Sequence, residues 1–140
     1  MGKNTATLKW LLLAGALYFL GVSMAHMLGI KVPLLFIYFS VASHAYQDRI
    51  ISFLSFGWSV FLFTAAVDPV KNRDAVKAVL VAGLAAIFGL HVINNVTDFQ
   101  ALSPEARPAL FQMETLGLTV YIGALIFFYY LSKKENKERQ

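Results

Sequence analysis

Four stretches of this 140-residue chain are long apolar runs interrupted by few charges, and they lie at about residues 10–30, 50–67, 75–93 and 113–131. Each approaches the roughly 20 residues that a helix needs to cross a bilayer. The pattern predicts an all-α, polytopic integral membrane protein. We expect its four transmembrane helices to form an antiparallel four-helix bundle, with residues 1–140 as a single domain.

The connections between these stretches differ in length and character. Residues 31–48 hold an apolar run at 32–39, too short to span, which predicts an interfacial or re-entrant segment. Residues 94–112 contain Ser103-Pro104-Glu105, a typical helix start, and predict a short interfacial helix that ends near Pro108. Residues 132–140 read as a charged, solvated tail.

Composition supports a membrane protein and excludes several other classes. The chain is 58% hydrophobic and 14% charged, whereas soluble domains are about a quarter charged. It has no cysteine, which excludes disulfides and cysteine–zinc sites. The basic residues do not form one patch that could follow a phosphate backbone, so we expect no nucleic-acid partner.

The distribution of basic residues predicts the orientation. Nine of the twelve flank the predicted cytoplasmic ends of the spans: Lys3, Lys9, Lys71, Arg73, Lys77, Lys133, Lys134, Lys137 and Arg139. The positive-inside rule therefore places both termini in the cytoplasm. We expect the first span to remain as an anchor, because its apolar run continues beyond the signal-peptide-like site Ser23-Met24-Ala25.

The second span carries a polar stripe. Ser52, Ser55 and Ser59 follow Asp48 at spacings of four, three and four residues, which places all four on one helical face. We expect this seam to face the inside of the bundle. Two interpretations stay open: a track for a ligand, or serines that bond to the carbonyls of their own helix.

All three histidines lie near the predicted outer ends of spans, together with other polar groups. Polar and ionisable groups near hydrocarbon are costly, which makes such a cluster a candidate site. The candidate ligand-binding residues of this outer mouth are His26, His44, Asp48, His91, Asn95 and Glu114. The alternative is that they form a purely structural polar cap.

Several chemistries fit such a mouth. His26 and His91 end spans one and three at similar depth and could ligate a haem b iron or another metal. A histidine beside a carboxylate could bind a quinone head group or shuttle protons. A bound lipid could place its head at the mouth and its tail along the seam. None of the spacings is a recognised metal or catalytic motif, so we predict no catalytic residue.

The layout resembles that of DoxX-like small four-helix bacterial membrane proteins. The similar features are LLLAGALYFLGVSMAHMLG, the apolar outer loop, and Gln47-Asp48-Arg49 at the start of an aromatic second span. The resemblance concerns architecture and transfers no site residue. It implies a bacterial inner-membrane protein associated with a respiratory or sulfur-oxidising complex.

We therefore expect a non-enzymatic accessory subunit of a larger, respiratory or redox, membrane complex, with a lipid- or quinone-binding mouth. The alternative is a haem- or metal-binding redox protein. Expected partners are membrane lipids and either other membrane subunits or further copies of the chain. The absence of an ionisable residue at mid-membrane argues against an ion path through a single copy.

Overall fold

The computed structural model describes residues 1–30, 44–102, 104 and 106–138, and for His44, Ala45 and Leu102 it describes the backbone alone. This part of the chain is all-helical. Its elements, in chain order, are α1 (Lys3–Leu28), α2 (His44–Val67), α3 (Arg73–Val96), α4 (Phe99–Leu102) and α5 (Pro108–Lys137).

Four of these helices, α1, α2, α3 and α5, are long and apolar enough to cross a membrane. Helices α2, α3 and α5 each contain one predicted span and extend beyond it at one end or both. Helix α1 begins at Lys3, before the predicted span 10–30, and ends at Leu28, just inside it. Helix α2 begins at His44, so residues 44–48, predicted to end the outer loop, belong to its first turns. Helix α5 continues to Lys137, through most of the predicted tail. Apolar content indicates the part of a helix in lipid, whereas backbone hydrogen bonding continues into its polar ends.

The helix ends have identifiable causes. Helix α1 ends at Gly29, whose φ of 66° is left-handed, and the amide groups beyond the helix bond back to the carbonyls of Ala25 and His26. Between α2 and α3, the Asp68 carboxylate accepts the N–H groups of Val70 and Lys71, each at 3.1 Å. These bonds, chiefly that from Lys71, lower the pKa of Asp68. These two hydrogen bonds close the connection between α2 and α3 into a tight turn.

Helix α1 packs against α2 and α5, and α3 packs against α5 and α2. The buried apolar core lies toward the start of α1 and α3 and the end of α2 and α5. Its largest fully buried side chains are Leu8, Leu12, Leu62, Val76, Val79 and Leu125. We call this part of the bundle, which holds the start of α1 and the end of α5, the terminal end. The opposite part, which holds His26 and His91, is the histidine end.

Two predicted segments fall wholly or partly outside the described residues. The apolar run at 32–39 lies wholly outside them. The helix-start signal lies partly outside them, because Ser103 and Glu105 are not described. A short helix, α4, lies just before that signal at Phe99–Leu102. Phe99 of α4 is buried and stacks on Phe111 of α5, with ring centroids 4.2 Å apart. This contact holds the α3–α5 connection against α5.

Candidate functional site

The central contact of the histidine end joins His26, in the last turn of α1, to Asp48, in the second turn of α2. The His26 Nδ1 and Asp48 Oδ1 atoms are 3.0 Å apart, and the two side chains are 10% and 16% exposed. Because an ionised carboxylate only accepts hydrogen bonds, this contact requires the proton on Nδ1. Two potentially charged groups thus lie largely shielded from solvent, where the end of α1 packs against the start of α2.

The serine seam continues inward from this pair along the α1–α2 contact. Ser23 of α1 and Ser52 of α2 share a hydrogen bond of 3.4 Å. Two turns further, the Ser59 hydroxyl donates to the carbonyl oxygen of Ala16 at 2.8 Å. Ser52, Ser55 and Ser59 are all buried. The bond from Ser59 goes to the neighbouring helix and not to its own, so it contributes to the packing of α1 on α2.

His91 and Asn95 lie elsewhere, on the exposed surface of α3. The Asn95 side-chain amide donates to the His91 carbonyl oxygen at 2.6 Å, within one helix. In the described part of the chain, no hydrogen bond or ion pair joins His91 to His26. Nor do three histidine, aspartate or glutamate side chains come together there as a metal site. The predicted haem or metal pair therefore stays a prediction.

Glu114 and His44 are the two remaining predicted residues of this end. Glu114 is exposed in the second turn of α5. The side chain of His44 lies outside the described residues, although its backbone starts α2 one helical turn before Asp48. Of the six predicted mouth residues, His26 and Asp48 meet side chain to side chain across two helices, whereas Asn95 bonds to the backbone of His91 within α3.

Sequence reasoning missed Asn94 as the residue that connects α3 to α5. Its amide donates to the Thr115 hydroxyl at 2.8 Å and to the Phe111 carbonyl oxygen at 3.2 Å. Asn94 and Asn95 are adjacent, so their side chains face different directions on the helix. They are also of the same residue type. Composition could not identify which of them faces the bundle.

A second polar group, at the terminal end, was also missed. We call Thr5, Ser132, Glu135 and Asn136 the terminal cluster. The Thr5 and Ser132 hydroxyl oxygens are 2.7 Å apart, and Asn136 donates to the Thr5 hydroxyl at 3.1 Å. Glu135 accepts the Thr5 backbone N–H at 3.2 Å. The available signal was the spacing of three and four residues after Ser132, which places these side chains on one face of a continuing helix.

The His26–Asp48 pair has the chemistry to hold a polar head group. Imidazole can donate or accept a hydrogen bond, and a carboxylate on its Nδ1 fixes the orientation of the ring. The adjoining seam offers hydroxyl groups in an otherwise apolar contact. A ligand with a carbonyl or hydroxyl head and an apolar tail matches that arrangement.

Comparison with known proteins adds no relative: no protein-family model, curated protein or solved structure matches this chain. The resemblance to DoxX-like proteins accordingly stays a prediction. The described architecture of four long apolar helices stands on the chain's own sequence and structure.

Proposed function

We propose that this chain is a small integral membrane protein that holds the polar head of a quinone or lipid at its outer side. In this proposal it serves a larger, respiratory or redox, membrane complex as a non-enzymatic subunit. The observation that carries the proposal is the shielded His26–Asp48 pair at the end of the serine seam.

The proposed setting is a bacterial inner membrane, with an antiparallel bundle and both termini in the cytoplasm. The side-chain contacts support the helix directions, because residues near the end of one helix meet residues near the start of the next. Examples are Ser23 with Ser52 and Asn94 with Thr115. The excess of basic residues at the terminal end supports the orientation.

Ligand binding at the pair can be measured through tryptophan fluorescence. Trp58 of α2 stacks on Phe19 of α1, with ring centroids 6.0 Å apart, and lies along the same helix contact as the seam. In a Trp10→Phe background it is the sole tryptophan. Decylubiquinone, whose ring quenches indole emission, should therefore quench it saturably.

We expect His26→Ala and Asp48→Asn each to weaken this binding about tenfold or more. Hydrogen bonds to charged groups contribute about 1.5–3 kcal/mol, and tenfold corresponds to about 1.4 kcal/mol. His91→Ala is the matched control, since it removes an exposed histidine at the same end, and it should bind as the parent does. Thermal unfolding in detergent would verify that each variant is folded.

Other results of these measurements would contradict the ligand site or favour an alternative. Unsaturable quenching, together with no lipid retained in native mass spectrometry, would contradict a ligand site at the pair. Equal losses of quinone affinity in His26→Ala, Asp48→Asn and His91→Ala would indicate a general disturbance of the histidine end. A Soret band in the purified protein, lost in both His26→Ala and His91→Ala, would favour the haem alternative instead.

Association with another subunit is supported by the second half of α3. Helices in lipid associate through small and polar side chains, because hydrophobicity gives no preference for protein over lipid. This half of α3 exposes both kinds, in Ala85, Ala86, His91 and Asn95. We propose that a neighbouring membrane subunit of a different sequence packs against this exposed half of α3.

A photo-crosslinking residue at Phe88 tests this contact in native membranes. Phe88 is 73% exposed on α3, and Phe53, 65% exposed on α2, is the matched control position. We expect Phe88 to crosslink to a different membrane protein and Phe53 to crosslink to none. Crosslinks between copies of the chain would indicate self-association instead of an accessory role. The absence of any protein crosslink from Phe88 would contradict the proposed contact.

A further inference from the structure

Three separate segments of the chain meet at the terminal end. They surround a cavity of about 300 Å³. Its lining is Met1, which precedes α1, Thr5 of α1, Val67 at the end of α2, Asp68 and Val70 of the α2–α3 connection, and Asn136 near the end of α5. The Lys9 ammonium also donates to the Val67 carbonyl oxygen at 3.3 Å. Basic residues that are distant in sequence therefore lie at the same end of the bundle.

The acidic residues at this end leave much of that positive charge uncompensated. Asp68, Asp74 and Glu138 each contact a lysine three or four residues away, namely Lys71, Lys77 and Lys134, at 3.8, 2.8 and 4.0 Å. Glu135 points inward and accepts hydrogen bonds from Thr5. Lys3, Lys133 and Lys137 are exposed and form no ion pair within the described part of the chain.

Exposed aromatic side chains mark the level of these lysines relative to a bilayer. Trp10 of α1 is 68% exposed and Tyr130 of α5 is 63% exposed. Such amphipathic rings favour the boundary between hydrocarbon and head groups. Lys3 lies two helical turns from Trp10 toward the terminus, and Lys133 lies one turn beyond Tyr130. This spacing places the lysine ammonium groups at or just beyond the lipid phosphates.

We propose that the terminal end binds anionic phospholipid head groups through Lys3, Lys133 and Lys137. The partner is selected by charge. Within the described residues no carboxylate pairs with these lysines, and a basic segment next to a membrane attracts anionic lipid. The inference rests on the membrane setting of the proposed function and is independent of any ligand at the His26–Asp48 pair.

The test measures thermal unfolding of the full chain in dodecyl maltoside with added dioleoyl-phosphatidylglycerol or dioleoyl-phosphatidylcholine. We expect a larger rise in melting temperature with the anionic lipid. Lys133→Gln/Lys137→Gln should remove more than half of that difference. Arg49→Gln/Arg107→Gln, which removes two exposed positive charges at the histidine end, is the matched control and should retain it.

Three results would overturn the proposal: equal effects of the two lipids, equal losses in the two double variants, or the full effect with inorganic phosphate alone. The last would show a site for a soluble anion. Resistance of the protein to carbonate extraction from membranes tests the membrane setting separately. Failure there would remove the proposed function as well, whereas failure of the lipid comparison alone would not.

Discussion

Alanine at Gly15 should destabilise the protein by about 1–3 kcal/mol, the usual cost of overpacking a core, whereas alanine at Gly21 should stabilise it by about 0.5–1 kcal/mol. Both glycines lie inside α1. In each case alanine gains the same intrinsic helix propensity. The opposite signs therefore report the surroundings of the two positions and not the helix itself.

The cause is the position of Tyr121. Its hydroxyl donates to the Leu11 carbonyl oxygen at 3.1 Å and lies directly over Gly15. A Cβ atom at Gly15 would coincide with that hydroxyl, and it would lie 2.9 Å from Tyr121 Cζ and 3.3 Å from Leu62 Cδ1. A tyrosine ring is rigid, so it cannot bend aside as an alkyl chain can. At Gly21 a Cβ atom would meet nothing within 4 Å.

Unfolding in mixed detergent micelles, followed by circular dichroism, measures both free-energy changes. A Tyr121→Phe background provides the internal control, since removing the hydroxyl creates part of the space that the added methyl group needs. The cost of Gly15→Ala should be smaller there. Equal effects of Gly15→Ala and Gly21→Ala, or an unchanged cost in the phenylalanine background, would contradict the packing of α5 on α1 described above.

The long helices could be predicted from sequence because lipid imposes a simple requirement, a long run of apolar residues. The serine spacing also indicated which face of α2 turns inward, and Ser52, Ser55 and Ser59 are buried. Periodicity within one helix is a local property that the sequence displays directly. The residues on other helices that such a face contacts are not displayed in this way.

The contact of His26 with Asp48 shows this limit. Sequence reasoning named both residues but grouped them with four others, because each lies near the end of a span. Which of them touch depends on the rotation of each helix about its axis, and that rotation is set by packing across the whole bundle. No spacing within the chain encodes it.

The tail shows the same limit more strongly. Its charge predicted a solvated segment, yet Glu135 lies against the start of α1, 130 positions away in sequence. A charged residue in a terminal segment ordinarily favours water. Here the first N–H groups of α1, which have no partner within their own helix, take the place of water as the partner of Glu135.

Replacing Glu135 with alanine is expected to destabilise the protein by about 1–2 kcal/mol, the usual effect of removing a helix cap. Gly2 occupies the N-cap position of α1 and forms no side-chain cap. The Glu135 carboxylate takes that role from another helix by accepting the Thr5 N–H at 3.2 Å and the Thr5 hydroxyl at 3.3 Å. Its negative charge also complements the positive end of the α1 dipole.

Glu138→Ala is the matched control, because it removes the same group three residues later, at the C-cap of α5. Glu138 is 66% exposed and lies 4.0 Å from Lys134, and surface pairs of this kind contribute about 0–1 kcal/mol. Amide hydrogen exchange over residues 3–8 should accelerate in Glu135→Ala and stay unchanged in Glu138→Ala. Equal behaviour of the two variants would show that the contact with Thr5 contributes nothing to stability.

Gly2→Ser separates capping by Glu135 from capping in general. Serine is a better N-cap than glycine in most helices, so it would ordinarily protect the start of α1. In this structure a Cβ atom at residue 2 would overlap the Glu135 carboxylate. We therefore expect Gly2→Ser to stabilise the Glu135→Ala variant clearly more than the parent, because in the parent the serine displaces a carboxylate that already caps α1. This difference requires the carboxylate of α5 to occupy the capping position of α1.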